Sequence, residues 1–210
     1  MELFEELLSI ADCLLGPKGC PWDKEQTFHS LQPYLMEEAH EVLEAIDANV
    51  KEKIVEELGD LLYVIIFYAK IGEKEGGFSI KDILERICKK LIYRHPHIFG
   101  EESAETPEEV VALYEKVKKI EKAHENRESI LDGIPPTLPL LVKAQKILSR
   151  IAKAEGKKEK EKLEEKQIAE ELIALIKKAN AADLDLESTL RRALSNLELA
   201  FKKKERRKEE

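Results

Sequence analysis

Apolar residues recur at three- and four-residue spacing along most of the chain. Leu3, Leu7, Leu8, Ala11, Leu14 and Leu15 form one stripe that stops at Gly16-Pro17, which predicts a first helix. A second stripe, Leu31, Leu35, Ala39, Val42 and Ile46, predicts a buried face on a helix from Ser30 or Leu31 to about Ala48. Pro33 is tolerated there because it falls in the first turn, where a backbone N–H has no helical partner. A third helix is expected from about Glu52 to Ile71, ahead of Gly76-Gly77. Its centre, LLYVIIFYA, is apolar on every face and rich in β-branching, so a strand is the rival reading. The flanking KEKIVEELGD and KIGEKEG favour a helix, one that must be covered on all sides by a bundle core and a subunit interface.

Ser79 or Asp82 opens a fourth helix that ends near Tyr93, broken by Arg94-His95-Pro96-His97. Thr106-Pro107 starts a charged helix to about residue 127, half-buried through Val110, Leu113, Tyr114 and Val117. Beyond Ile134-Pro135-Pro136-Thr137-Leu138-Pro139 the texture changes, and residues 157–210 contain neither Gly nor Pro. KKEKEKLEEK, residues 157–166, reads as a solvated stretch or linker, and the tail KKKERRKEE as a frayed end. With no run that stands as a strand, the class is all-α, a helical bundle.

Charge narrows the partners. The 43 acidic residues outweigh 35 basic ones, for a net charge of -8, which argues against a nucleic-acid binder with a basic footprint. Three cysteines, Cys13, Cys20 and Cys88, contain no CxxC pair and leave one over in any disulfide scheme, so a reducing cytoplasm is expected. The acidic, amphipathic N-terminus is unlike a signal peptide, and the longest apolar run, Leu61 to Ala69, is too short to span a bilayer.

Two of the helices carry acids in a pattern with chemical meaning. Glu37, Glu38 and Glu41 lie on the second helix, Glu56, Glu57 and Asp60 on the third. Glu38 pairs with Glu41, and Glu57 with Asp60, since residues three apart share a face. Each pair borders the apolar stripe, where anions are costly unless a cation neutralises them. If the helices pack antiparallel, four carboxylates converge, a donor set suited to a hard cation such as Mg2+ or Mn2+. Mg2+ keeps positions open for water and phosphate oxygens, so the pattern implies phosphate chemistry. The plain alternative is a set of solvating glutamates. Gly59 lies between Glu57 and Asp60, where a helix-interior glycine costs about 1 kcal/mol relative to alanine. It admits either a ligand or a closely crossing helix.

ExxE, a fifteen-residue spacer, then ExxD resembles the metal motif of the MazG family of all-α nucleoside triphosphate pyrophosphohydrolases. CPWDKEQT, LQPYLMEEAHEVLEAI, EELGDLLYVIIFYA and RHPHIFG extend the resemblance over residues 1–125. It implies a homodimeric four-helix arrangement that hydrolyses a nucleoside triphosphate to the monophosphate and pyrophosphate with Mg2+. Glu38, Glu41, Glu57 and Asp60 would be ligands, Lys53 and Glu56 would contact substrate, and Arg94 would approach the phosphates. Either Glu38 or Glu41 would hold the attacking water. His95 and His97, separated by Pro96, read as a packed or capped turn rather than as metal ligands.

The resemblance also predicts a tandem repeat. Residues 126–156 read as a connecting helical segment carrying IPPTLPLLVKAQKI, and residues 157–210 as a degenerate second half. There Glu170-Glu171 match Glu56-Glu57, but Ala174 replaces Asp60, Ile173 replaces Gly59 and Ala200 replaces Arg94, so no metal site is expected. In the loop GPKGCPWDKEQT, Asp23 and Gln26 fit a capping box. Trp22 either closes the bundle end or lines the nucleotide pocket, and Lys24 faces phosphates or solvent. Two other functions remain as alternatives: a non-catalytic helical nucleotide binder or scaffold, and a pyrophosphatase restricted to dUTP or one modified nucleotide.

Overall fold

The structure, a computed structural model, describes residues 2–123, 128–156 and 163–209. Among these, every regular element is a helix, as the periodicity predicts. The chain divides into two compact units, residues 1–117 and 118–210.

In the first unit, α1 (Glu2–Leu15) and the one-turn α2 (Pro21–Lys24) precede a long hairpin of α3 (Gln32–Asp47) and α4 (Lys51–Lys74). The turn between α3 and α4 reverses the chain through Asn49, which takes the left-handed φ of 53°. LLYVIIFYA is helical inside α4, and Val64, Ile66, Phe67 and Ala69 are buried. The core is built where Phe67 and Ile71 of α4 meet Leu31, with Leu15, Phe28, Tyr63 and Tyr68 packed around them. Lys70 fastens α1 to α4 through Asp12 at 2.7 Å, and also pairs with Glu73 at 3.1 Å. On α3 the buried positions are Val42 and Ala45, whereas Ile46 is exposed. The expected stripe holds through Leu31, Leu35, Ala39 and Val42, all buried or half-buried, and departs only at its end, where Ala45 is buried in place of Ile46.

The turn to α5 (Ile80–Arg94) is tight: a Cβ on Gly72 would stand 2.8 Å from the Phe78 ring. Ser79 caps α5 in a capping box with Asp82, so the expected start is correct. α5 buries no residue, and Leu84, Ile87 and Leu91 are exposed. The short α6 (Pro96–Phe99) and α7 (Pro107–Ala123) follow, with residues 124–127 of the expected helix outside the described residues.

The second unit is built from α8 (Leu140–Ala154), α9 (Glu165–Ala181) and α10 (Leu186–Glu209). Its core joins Leu131, Ala144, Ile147, Leu194 and Phe201. Lys202 reaches Asp132 at 2.6 Å, and Glu205 accepts from the Ser129 hydroxyl at 2.5 Å. The tail expected to fray is helical to Glu209, held in part by these contacts from its own α10. The expected linker falls largely on residues 157–162, which lie outside the described residues. No helix among the described residues is long and apolar enough to cross a membrane.

Candidate metal centre

The α3–α4 hairpin sets two runs of glutamate opposite each other. Glu38, Glu41 and Glu57 each offer a carboxylate oxygen within 4.8 Å of the others. Asp60 lies outside that set, yet its charge reaches both Glu38 and Glu57. Partial burial raises the Glu38 pKa, helped by the negative charges of Glu41, Asp60, Glu37 and Glu57. Glu57 is raised as well, by desolvation first and then by Glu41, Glu56 and Asp60, while Lys53 pulls it down. Lys53 is therefore close enough to act on the cluster, although it is exposed. Anions that hold each other above their ordinary pKa are what a divalent cation relieves, and an all-oxygen donor set fits a hard one. No Cβ added at Gly59 would meet anything within 4 Å, so the glycine serves no helix crossing within this chain. That side of the acids is open.

One helical turn beyond the acids, the site changes character. Trp22 of α2 packs edge-on against Tyr34, with ring centroids 5.5 Å apart, and stays half exposed. The Tyr63 hydroxyl is buried and has no hydrogen-bond partner among the described residues. The expected capping box at Asp23 does not form: α2 starts one turn earlier, and Asp23 sits inside it. Gln26 donates to the Trp22 carbonyl at 3.0 Å instead, and Thr27 and Ser30 cap one another reciprocally. Lys24 donates to the Pro17 carbonyl at 3.2 Å, and Lys74 to the Lys24 carbonyl at 3.3 Å, which ties α2 to the loop after α1 and to α4.

Arg94 ends α5 and donates to the Tyr114 hydroxyl at 2.8 Å, with its guanidinium carbon 5.5 Å from the ring centroid. In the sequence Tyr114 reads as part of a half-buried helix face, and Tyr34 and Tyr63 carry no assigned role. Spacing was the available signal, since Tyr34 lies four residues before Glu38 and Tyr63 three after Asp60. His95 donates from Nδ1 to the Leu91 carbonyl at 2.7 Å, and its ring lies 5.7 Å from that of His97, a packed turn as expected.

An all-helical hairpin presenting clustered carboxylates beside a cation defines a class of candidate metal-assisted phosphate-handling proteins. Comparison with known proteins narrows it. The MazG nucleotide pyrophosphohydrolase domain matches residues 26–99, a span that includes all four acids, Lys53 and Arg94. A Thermotoga maritima protein named nucleoside triphosphate pyrophosphohydrolase/pyrophosphatase MazG is 35% identical over 97% of this chain and 86% of its own length. The nucleoside triphosphate pyrophosphohydrolase of Escherichia coli (strain K12) is 46% identical over 72% of this chain, which spans 58% of that protein. A crystal structure of a mazG-related protein from Thermotoga maritima covers 55% of this chain and 98% of itself, with 30% identity and a TM-score of 0.49. The chain belongs to the MazG family.

Proposed function

We infer that this protein hydrolyses nucleoside triphosphates to the nucleoside monophosphate and pyrophosphate, with Mg2+ as cofactor and Mn2+ as a substitute. The observation that carries the reading is the meeting of Glu38, Glu41 and Glu57 across the α3–α4 hairpin, in a chain of this family. Those three and Asp60 would hold the cation. When bound, it neutralises phosphate oxygens and acidifies a water.

The chain's own residues divide the remaining work. Glu38 or Glu41 orients the water and takes the proton it loses as its oxygen attacks. The α–β phosphoanhydride then breaks, and pyrophosphate leaves with the bonding electron pair. Lys53 and Arg94 offset the charge that develops on the phosphate oxygens. Glu56, beside Glu57, orients substrate or its metal shell. Trp22 stacks on the base and Lys24 lies near its entry. Tyr114 holds the Arg94 guanidinium in one direction.

Association belongs to the same reading. Val55, Leu58, Leu62 and Ile65 form an exposed stripe along α4 at heptad-like spacing, and a second copy of the chain would cover it in a homodimer. Residues 157–210, in this reading, are a degenerate MazG-like half: Glu170 and Glu171 are kept, but Ala174 stands in the place of Asp60, so the acid set is incomplete. Three free cysteines agree with a cytoplasmic setting, and a net charge of -8 with a partner list free of nucleic acid.

The test is a panel of nucleoside and deoxynucleoside triphosphates, with and without Mg2+, assayed for pyrophosphate against orthophosphate. Mg2+-dependent pyrophosphate is expected, falling at least a hundredfold in Glu38→Ala and Asp60→Ala, by analogy with the loss of a residue that stabilises developing charge, about 100–1000-fold. Release of orthophosphate alone, or full activity in both variants, would end this reading.

A further inference from the structure

The Tyr63 hydroxyl is buried, yet nothing among the described residues accepts from it or donates to it. Such a group is costly to leave unmade, and native structures retain few of them without a use. Its surroundings point to that use. Tyr63 follows Asp60 by three residues on α4, a rise of about 4.5 Å on the same face. Tyr34 precedes Glu38 by four residues on the antiparallel α3, and so lies at the same end of the carboxylates. Lys53 occupies the opposite end. A nucleotide whose phosphates sit at the acids therefore has its nucleoside directed to the aromatic end, beneath α2. Asp23 and Cys20 of that stretch are near enough for their charges to act on Tyr63. α2 is one turn long, held by two exposed lysine-to-carbonyl bonds, the Cys20 N–H to the Leu14 carbonyl at 2.8 Å and the Trp22–Tyr34 ring contact.

Resting on the triphosphate reading above, we propose that Tyr63 is a specificity residue whose hydroxyl hydrogen-bonds the edge of the nucleobase stacked under Trp22. The base edge, not the sugar, is the group it meets, because the hydroxyl lies under the loop that carries Trp22. Rings packed around it already fix its position: Phe67 lies edge-on to it at 5.8 Å.

Tyr63→Phe keeps the ring and deletes the hydrogen bond. KM and kcat are to be measured for ATP, GTP, CTP and UTP and for their deoxy counterparts. The expected result is an unchanged kcat and a Tm equal to or above that of the wild type, with the KM ratio between preferred and disfavoured bases narrowed about five- to tenfold, the worth of one net hydrogen bond. The ribose-to-deoxyribose ratio stays as in the wild type. A common factor on all eight KM values, a change confined to the sugar ratio, or no change overturns the proposal. So does a Tm lowered by several degrees, which would reveal a structural partner for the hydroxyl. A wild type that releases no pyrophosphate defeats the hydrolytic reading separately. Equilibrium dialysis of the same eight nucleotides then delivers the ranking, and absence of binding overturns both.

Discussion

Glu38 and Glu57 each resist ionisation in the folded chain, because burial and neighbouring anions disfavour the carboxylate. Their folded pKa values lie above the unfolded value of about 4.3. The native state thus binds more protons than the unfolded one between the two values. The stability they contribute is full below the unfolded pKa and is lost as pH rises through the folded ones. In the absence of metal, Glu38→Gln is therefore expected to melt higher than the wild type at pH 7, with the gap closing toward pH 4. Addition of Mg2+ should raise the wild-type Tm more than that of the variant. Thermal unfolding at both pH values checks this, and a variant that melts lower at pH 7 contradicts it. The acids were legible because ExxE and ExxD put two carboxylates on each helix face. Tyr63 and Tyr114 were not, since a wheel shows that an aromatic faces inward but not whether its hydroxyl finds a partner.

Helices follow from the chain wherever breakers bound an apolar period. Gly16-Pro17, Gly76-Gly77 and His95-Pro96 all end elements near their expected places. The strand-like centre of α4 is helical because polar helix formers flank it and α3 packs along it. What the pattern left open is where a stripe ends: at the last turn of α3 Ala45 rather than Ile46 is buried, and only the packing of the hairpin decides that. Caps behave similarly. Ser79-x-x-Asp82 forms its box, whereas Asp23-x-x-Gln26 is pre-empted by Pro21, which starts α2 before Asp23. Side-chain and backbone bonds from Ser79 hold Asp82 below the usual carboxylate range. Ser79→Ala should cost about 1 kcal/mol. That corresponds to a Tm lower by roughly 4 °C. Calorimetry measures it, and an unchanged Tm would show that the cap adds nothing to α5.

For the whole molecule, the folded chain leaves more apolar surface bare than a lone protein of this size needs. Val55 is 72% exposed and Leu58 49%, on the same helix as Glu57 and Asp60. The sequence already implied this, because a helix apolar on every face exceeds what one chain covers. Light scattering is expected to give the mass of two chains for the wild type and one for Leu62→Glu. Helical circular dichroism should be retained, since Leu62 is exposed within one chain. A wild type that is monomeric at high concentration removes the dimer from the account.

The bare stripe and the acids alternate along the same few turns of α4, with Gly59 open between them. If two copies meet there, each closes the flank of the other's carboxylates, and chemistry and assembly obey one mass-action law. Turnover per molecule would then fall on dilution below the dissociation constant. Saturating nucleotide and cation, bound only by the closed pair, would draw separated chains back together.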